Sequence, residues 1–185
     1  NEAVAVAGFG GYPSLPPLMA AAHLGVPTLV HEQNSVLGRA NKLLSTRVTK
    51  VATSFENVRL IPPEAAGKVV LTGNPVRAVV KAVAAATYPA LDPAGPIRLL
   101  VFGGSQGARY FSDMMPPVVA ALPAEVQKRL VITQQCREED LPRVTEAYAR
   151  AGVQADLSPF FMDMPKRMAG SHLVIARSGA STIAE

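Results

Sequence analysis

The sequence is poor in the residues that stack on nucleic-acid bases or bind their phosphates in clusters. It contains no Trp, only six Phe and four Tyr among 185 residues, and no cluster of five or more Lys or Arg. The 18 basic and 14 acidic residues give a net charge of +4. This excess mildly favours anionic partners such as phosphates and lipid head groups. Without a stacking platform or a basic arm, we expect no nucleic-acid binding.

Cysteine and long apolar runs are equally scarce. The single Cys136 excludes an intrachain disulfide, which favours a reducing compartment, and the cytoplasm is the default expectation. The richest apolar runs, such as Ala3–Ala7 and Leu99–Phe102, are four or five residues long, whereas a membrane-spanning helix needs about 20. Any membrane contact is therefore expected to be peripheral. With 49% hydrophobic residues, the chain has ample material for a core.

Short β-branched runs alternate with Ala- and Leu-rich stretches, and a glycine-rich or polar turn separates them. This alternation is typical of βαβ units and a parallel sheet. A first series predicts strands near 4–7, 28–31, 50–54 and 68–71, with helices near 14–24 and 39–44. A second series predicts strands near 97–102, 130–133, 155–157 and 173–176, with helices near 108–122, 138–151, 164–169 and from 180 onward.

A stretch rich in Ala, Pro and Gly at 82–96 separates the two series and indicates a short helix that runs out into a stiff connection. We therefore expect an α/β protein with two Rossmann-like parallel-sheet lobes, at 1–77 and 97–185, and a linker at 78–96. Both lobes are expected to be incomplete, because the chain opens directly on a strand and closes on the first turn of a helix. Two such lobes predict a cleft, with ligands outside the carboxyl ends of the strands.

The sharpest motif is Val101-Phe102-Gly103-Gly104-Ser105-Gln106-Gly107-Ala108, a strand followed by a glycine turn that opens a helix. Glycines allow close approach of the backbone, and the free N–H groups of a helix start attract anions. The motif therefore predicts a phosphate or diphosphate site, with an unliganded tight turn as the alternative. It lacks both the Gly-Lys-Ser/Thr of the P-loop and the G-x-G-x-x-G dinucleotide fingerprint.

A second glycine turn, Gly8-Phe9-Gly10-Gly11-Tyr12-Pro13-Ser14, follows the first predicted strand. Gly8-x-Gly10 opens like the dinucleotide fingerprint, and Glu32 lies 22 residues after Gly10, where a ribose-binding acid would fall. Pro13 at the third glycine position weakens that interpretation. A nicotinamide-dependent oxidoreductase is nevertheless an alternative, as is a turn that binds nothing.

Three further polar motifs follow predicted strands. His31-Glu32-Gln33-Asn34 offers acid–base groups and amides that suit sugar hydroxyls. The turn Thr72–Arg77 ends in an Arg that could form a fork to a phosphate or carboxylate. A glycine turn at Arg177–Gly179 opens another helix. No Asp-x-Asp motif for a metal-held diphosphate is present, so we expect no metal.

These five motifs, in their order along the chain, resemble those of the bacterial undecaprenyl-diphospho-muramoylpentapeptide β-N-acetylglucosaminyltransferases, inverting glycosyltransferases of family 28 with a GT-B fold. The resemblance spans nearly the whole chain. It implies transfer of N-acetylglucosamine from UDP-N-acetylglucosamine to the muramoyl 4-hydroxyl of lipid I, which gives lipid II for peptidoglycan synthesis and thereby serves cell-wall biogenesis, cell shape and cell division. It implies no metal or other cofactor, and a peripheral place on the cytoplasmic face of the inner membrane. A non-catalytic sugar-nucleotide-binding subunit is an alternative.

The resemblance also implies roles for residues on the donor side. Ser105 should approach the donor diphosphate, and Arg77 should contact the nucleotide side of the donor. The backbone of Phe161 should read the uracil edge, and Glu185 should hold the ribose hydroxyls. The residues implied to line the sugar and phosphates are Ala180, Ser181 and Thr182. At 134–137 the chain has Gln-Gln-Cys-Arg where the family commonly has His-Gln-Ser/Thr-Gly, so no role is carried over to that turn.

On the acceptor side, the resemblance implies that Asn34 faces the sugar in the cleft. His31 and Glu32 are the catalytic candidates on that side, although the general base and the Gln pair for the donor sugar are expected outside this chain. The loop implied to meet the acceptor diphosphate comprises Gly8, Gly10, Gly11 and Tyr12. The chain alone is therefore expected to be inactive.

Overall fold

The computed structural model describes residues 3–185, except for the side chains of residues 105–107. The chain divides into two compact units. One runs up to Val76 and also includes Ile183–Glu185, and the other is Arg77–Thr182. Each unit contains a four-stranded, wholly parallel sheet. The predicted pair of parallel α/β lobes is thereby confirmed.

The sheet of the first unit follows chain order. Its strands are β1 (Val6–Gly8), β2 (Thr28–Glu32), β3 (Lys50–Thr53) and β4 (Val69–Leu71), and its helices are α1 (Leu15–His23) and α2 (Arg39–Ser45). Short 3-10 turns at Tyr12–Ser14 and Pro63–Lys68 complete it. Helix α1 tolerates two prolines because both lie in its first turn, where the backbone N–H groups have no partner within the helix. It ends at His23, and Gly25 follows the C-cap with a φ of +72°, which suits glycine.

The core of the first unit is small and aliphatic. Leu18 from α1 and Leu44 from α2 pack with Val30 and Val51 of the two central strands. Because helices cover these parallel strands, their sequences are runs of apolar residues rather than an alternation with polar ones. Burial of one such side chain contributes about 1.5–3 kcal/mol.

The strands of the second unit are β5 (Ile97–Phe102), β6 (Leu130–Gln135), β7 (Gln154–Ser158) and β8 (Leu173–Ala176), and they lie in the order β7-β6-β5-β8. Its helices are α3 (Ala78–Lys81), α4 (Gly104–Ala120), α5 (Ala124–Gln127), α6 (Leu141–Arg150) and α7 (Met164–Gly170), and the last helix of the chain, α8 (Ala180–Ala184), begins in this unit. The chain builds outward from β5 to β7 and then crosses to the other side of β5. This reversal between β5 and β8 is the place where open α/β sheets bind ligands.

Two buried polar contacts lie within the apolar core of the second unit. The Tyr148 hydroxyl donates to Gln134 Oε1, and burial raises the pKa of Tyr148. Cys136 is buried with its Sγ 3.3 Å from Ser112 Oγ. Burial also raises the pKa of the Cys136 thiol, which therefore stays protonated at neutral pH and is a poor nucleophile.

The structure differs from the sequence-based expectation at several element boundaries. Helix α4 begins at Gly104, four residues before the predicted start, because the glycine turn itself enters the helix. Residues 78–96, predicted as a linker with a short helix from about 82, begin with helix α3, which lies slightly earlier. The predicted domain limits at 77 and 96 stay predictions. In the part of the chain that the structure describes, no helix has both the length and the apolarity to span a bilayer.

Candidate functional site

The glycine turn after β1 is shaped by packing as well as by backbone conformation. Gly8 is buried, and a Cβ there would lie 2.4 Å from Cδ1 of the fully buried Leu18. Glycine at position 8 therefore allows α1 to pack against β1. Gly10 and Gly11 have φ values of +88° and +75°, which favour glycine. The turn is closed by the Ser14 hydroxyl, which donates to the Gly10 carbonyl at 2.7 Å.

His31 is 3% exposed, and both of its ring nitrogens have partners. Nδ1 accepts a hydrogen bond from Gln33 Nε2 at 3.0 Å, so the ring proton lies on Nε2, which donates to the Gly73 carbonyl at 3.0 Å. The imidazole thus connects the turn after β2 to the turn after β4. In this arrangement neither nitrogen is free to take a proton from a substrate.

Glu32 is 2% exposed, and its carboxylate accepts four hydrogen bonds. Oε1 accepts from the backbone N–H and side-chain Nδ2 of Asn34, at 3.0 and 3.1 Å. Oε2 accepts from the Gly38 N–H at 2.8 Å and from Asn41 Nδ2 at 2.7 Å. Burial raises the pKa of this carboxyl, but the hydrogen bonds from Gly38, Asn34 and Asn41 outweigh it and hold the pKa below its ordinary value.

Because its oxygens already accept hydrogen bonds, the Glu32 carboxylate is poorly suited to general-base catalysis and to ribose binding. An ionised group that accepts four hydrogen bonds is a weak proton acceptor, which disfavours general-base catalysis. It also presents no free oxygen to a ribose diol, so the dinucleotide-binding alternative lacks its acidic residue. What Glu32 does in this structure is fix Asn34 and the start of α2.

A cavity of about 330 Å³ lies in the first unit, between the turn after β1 and the turn after β2. It brings together five of the predicted residues: Gly10, Gly11, Tyr12, Glu32 and Asn34. The cavity wall also includes Arg39 and Asn41, which sequence reasoning did not select. Gly8 and His31 do not line it. Turn amides and a guanidinium together suit an anionic group.

Asn41 is buried, and its two side-chain atoms differ in their contacts. Its Nδ2 donates to the His31 carbonyl at 3.2 Å as well as to Glu32. Its Oδ1 has no hydrogen-bond partner among the described residues. An unpaired buried acceptor is costly, so a donor group of a ligand in the cavity would improve its environment.

The larger cavity, of about 930 Å³, lies in the second unit at the carboxyl ends of β5 and β8. The Gly103-Gly104 turn forms one wall, and the turn Arg177-Ser178-Gly179 forms another. Thr182 is the one predicted sugar-lining residue on its surface; Ala180, Ser181 and Glu185 do not line it. Tyr110 and Phe111 of α4 add an aromatic side. The cavity combines backbone amides, hydroxyls and an arginine, which is the chemistry that a sugar diphosphate needs.

Gln135, at the end of β6, ties two turns of this site together. Its Oε1 accepts from the backbone N–H of Gly103 and Gly104, at 3.4 and 3.1 Å, and its Nε2 donates to the Pro159 carbonyl at 3.1 Å. Its partners are separated from it by more than twenty residues in the sequence. No local pattern in the sequence therefore indicates this connection.

Three other residues are predicted to contact the donor, namely Phe161, Arg77 and Ser105. Phe161 is buried and follows β7, outside the wall of the large cavity. Arg77 is exposed and immediately precedes α3. The side chain of Ser105 lies outside the described part of the structure, so its diphosphate contact stays a prediction. Among the described residues, no three His, Cys, Asp or Glu side chains are grouped to hold a metal ion.

Two parallel α/β units, each with glycine turns and polar residues at the carboxyl ends of its strands, define a protein with the GT-B type of architecture. Family models agree with this class. The glycosyltransferase family 28 N-terminal domain matches residues 1–53, and the glycosyltransferase family 28 C-terminal domain matches residues 98–185. The chain belongs to glycosyltransferase family 28.

Curated relatives are similar over almost all of this chain. A protein of Methylobacterium sp. (strain 4-46) is 56% identical over 186 residues, which cover 100% of this chain and 50% of the relative. One of Rhodopseudomonas palustris (strain BisA53) is 52% identical over 181 residues, 98% of this chain and 48% of the relative. Both are named UDP-N-acetylglucosamine–N-acetylmuramyl-(pentapeptide) pyrophosphoryl-undecaprenol N-acetylglucosamine transferase. The chain spans about half the length of the curated relatives it matches.

Solved structures show the same architecture. The crystal structure of Acinetobacter baumannii MurG has a TM-score of 0.76 and 32% identity, over 98% of this chain and 49% of that chain. The S. aureus MnaA–UDP structure has a TM-score of 0.58 at 12% identity, over 95% of this chain and 53% of that chain. At 12% identity, the similarity to the second structure shows a shared fold and nothing further.

Proposed function

We propose that this protein transfers N-acetylglucosamine from UDP-N-acetylglucosamine to the muramoyl 4-hydroxyl of undecaprenyl-diphospho-muramoylpentapeptide, lipid I, and so forms lipid II for peptidoglycan. One observation carries the proposal. In a chain of family 28, a cavity of about 930 Å³ lies at the strand-order reversal and is walled by two glycine turns and Arg177. The names of relatives that are 52–56% identical support the choice of sugar and acceptor.

The second unit is proposed to bind the donor. The Gly103-Gly104 turn and Ser105, at the start of α4, hold the diphosphate, because amides at a helix start stabilise negative charge. Arg177 and Thr182 line the same cavity and contact the phosphates or the sugar. The proposal assigns the backbone of Phe161 to contact with uracil, Glu185 to contact with the ribose, and Arg77 to contact with the nucleotide side of the donor. Ala180 and Ser181 are assigned to the sugar and phosphates.

The first unit is proposed to bind the acceptor. The cavity between its two turns takes an anionic part of lipid I, with Gly10, Gly11 and Arg39 as the groups that face the acceptor diphosphate. Tyr12 belongs to the same turn, and Asn34 contacts a sugar hydroxyl. His31 and Glu32 are assigned to positioning, because their polar atoms are already hydrogen-bonded to the protein.

The proposed reaction is a single displacement. A base removes the proton from the muramoyl 4-hydroxyl while its oxygen forms a bond to the anomeric carbon of N-acetylglucosamine. The bond from that carbon to the diphosphate oxygen breaks, and UDP leaves with the electron pair. Turn amides and Arg177 stabilise the charge that develops on the leaving group. One displacement inverts the anomeric configuration, and no metal is required. The base is not assigned to a residue of this chain.

A lipid acceptor requires access to a membrane surface, and the proposal places the protein peripherally on the cytoplasmic face of the inner membrane. Leu43 of helix α2, 52% exposed, supports this, because it lies beside Lys42 and beside Arg47, which follows the helix. Basic residues attract anionic lipids, and an exposed Leu adds apolar contact. The Leu43→Asp substitution should lower the fraction of the protein that sediments with anionic vesicles. Equal sedimentation with neutral vesicles, or no loss in the variant, contradicts this surface.

A transfer assay tests the proposed function. Protein expressed from its complete reading frame is incubated with labelled UDP-N-acetylglucosamine and lipid I. We expect labelled lipid II and an equal amount of UDP, with UDP-glucose a poor donor and a chelator without effect. Donor binding without transfer would instead indicate the non-catalytic binding subunit. NADH binding without uridine-nucleotide binding would indicate the oxidoreductase, which family membership does not favour.

A further inference from the structure

The segment between β7 and α7, residues 159–163, lies beside the glycine turn of the second unit. Gln135 connects them, since its amide donates to the Pro159 carbonyl at 3.1 Å and accepts from the Gly104 N–H at 3.1 Å. Ser158 stabilises the start of the segment, because its hydroxyl donates to the Phe160 carbonyl at 2.8 Å. The segment therefore sits at the same edge of the sheet as the proposed diphosphate site.

Arg167 of α7 holds this segment from the other side. Its guanidinium carbon lies 4.2 Å from the centroid of the Phe161 ring, a cation–π distance. Its Nε donates to Asp163 Oδ1 at 2.7 Å, and its Nη1 donates to Asp156 Oδ2. Asp156 lies in β7 and Asp163 ends the segment, so one guanidinium links the strand before the segment, the ring within it and its last residue.

These contacts differ from an ordinary surface ion pair. The Arg167 side chain is only 27% exposed, and its planar guanidinium has two carboxylates at its edge and an aromatic ring on its face. Lysine could not reproduce this combination, because an ammonium group has neither a planar face nor a fork of fixed donors. The hydrogen bond from Arg167 also holds the pKa of Asp163 below its ordinary range, so the carboxylate stays ionised at neutral pH.

We propose that Arg167 is a positioning residue for recognition of the donor's nucleobase. By pinning the Phe161 ring and linking Asp156 to Asp163, it presets the backbone of Phe161 to hydrogen-bond the edge of a uracil. Ordering this backbone before the ligand arrives reduces the conformational entropy lost on binding. The inference rests on the proposed function, because it concerns the base of the same uridine nucleotide.

Calorimetric titration of UDP, CDP and inorganic pyrophosphate into protein expressed from its complete reading frame tests this role. Arg167→Met removes the charge and the guanidinium N–H donors but keeps much of the side-chain length. Arg167→Lys keeps the charge but not the planar set of donors. The matched control is Arg150→Met, which removes an exposed arginine that is paired with Glu146 on α6. Thermal unfolding of each variant shows whether it is folded.

We expect Arg167→Met to weaken UDP binding about tenfold and to lower the UDP-over-CDP preference at least fivefold, with pyrophosphate affinity unchanged. Arg167→Lys should lose the preference too, whereas Arg150→Met should keep it. If Arg167→Met does not fold, Asp156→Asn serves in its place and should lower the preference at least twofold.

Two results would overturn the inference, and they are distinguishable. A folded Arg167→Met variant with the wild-type UDP-over-CDP preference limits Arg167 to a structural role and leaves the proposed function intact. Failure of the wild-type protein to bind UDP at all removes the proposed function, and the inference with it, before any variant is compared.

Discussion

Substitution of Glu32 by Gln is expected to lower the free energy of unfolding by about 3 kcal/mol and to reduce transfer activity by more than tenfold. The change is nearly isosteric, but the amide NH₂ would face groups that are themselves donors. The carboxylate now accepts hydrogen bonds from Asn34, Gly38 and Asn41. Its replacement therefore leaves buried N–H groups without partners and releases Asn34, the proposed sugar contact.

Urea denaturation measures this loss, with Glu56→Gln as the matched control. Glu56 is an exposed glutamate of the same unit, and its substitution should change stability by less than about 0.5 kcal/mol. An unfolding free energy for Glu32→Gln within about 0.5 kcal/mol of the wild type would contradict the role given to the carboxylate.

The same carboxylate predicts how stability depends on pH. Its folded-state pKa lies below the ordinary glutamate value of 4.5, because the hydrogen bonds that favour the ionised form outweigh burial. A group with a lowered folded-state pKa stabilises the protein fully above its unfolded-state pKa and loses that contribution as the pH falls through the folded-state pKa. The wild type should therefore lose more stability than Glu32→Gln below pH 4.5. Parallel pH profiles of the two proteins would refute this expectation.

Substitution of Gly104 by Ala is expected to weaken the binding of UDP-N-acetylglucosamine at least tenfold, which is about 1.4 kcal/mol. Gly104 has a φ of +66°, and a Cβ at this position would meet no atom of the described part of the chain within 4 Å. The cost is therefore conformational, about 1–2 kcal/mol for an L-residue in the left-handed region. The turn would relieve it by rotating, which moves the amides that are proposed to face the diphosphate.

Gly152→Ala is a closely matched control for this prediction. Gly152 also has a φ of +66° and open space around its Cα, but it follows α6, and it does not line the large cavity. Both variants should lose similar stability in thermal unfolding, and only Gly104→Ala should lose donor affinity. Equal donor affinity in the two variants would show that the turn does not contact the donor.

The fold class could be predicted from the sequence because its determinants are local. Runs such as Leu99–Phe102 are apolar on both faces, as buried parallel strands are, and each is followed by a turn rich in glycine or polar residues. The carboxyl ends of parallel strands share one edge of a sheet, so motifs that follow strands are expected there. The structure accordingly places Gly103 and Arg177 in one cavity, and Gly10 and Asn34 in another.

The roles of individual site residues depend on contacts that the sequence does not display. His31 and Glu32 have the residue types of acid–base catalysis, yet partners as distant as Gly73 occupy their polar atoms. Gln135 contacts residues that approach it only in the folded sheet. Arg167 reaches Asp156 of β7 in the same way, whereas its partner Asp163 lies only four residues before it. Arg39 had one usable signal, its position directly after Gly38 at the start of a helix that follows the polar motif.

The measurement that tests the central claim most directly is calorimetric titration of UDP-N-acetylglucosamine, UDP-glucose and NADH into protein expressed from its complete reading frame, with Glu185→Ala alongside. The account predicts preferential binding of UDP-N-acetylglucosamine, weakened in the variant by loss of the ribose contact, and no binding of NADH. Binding of NADH without either uridine nucleotide would contradict it and would shift attention to the glycine turn after β1.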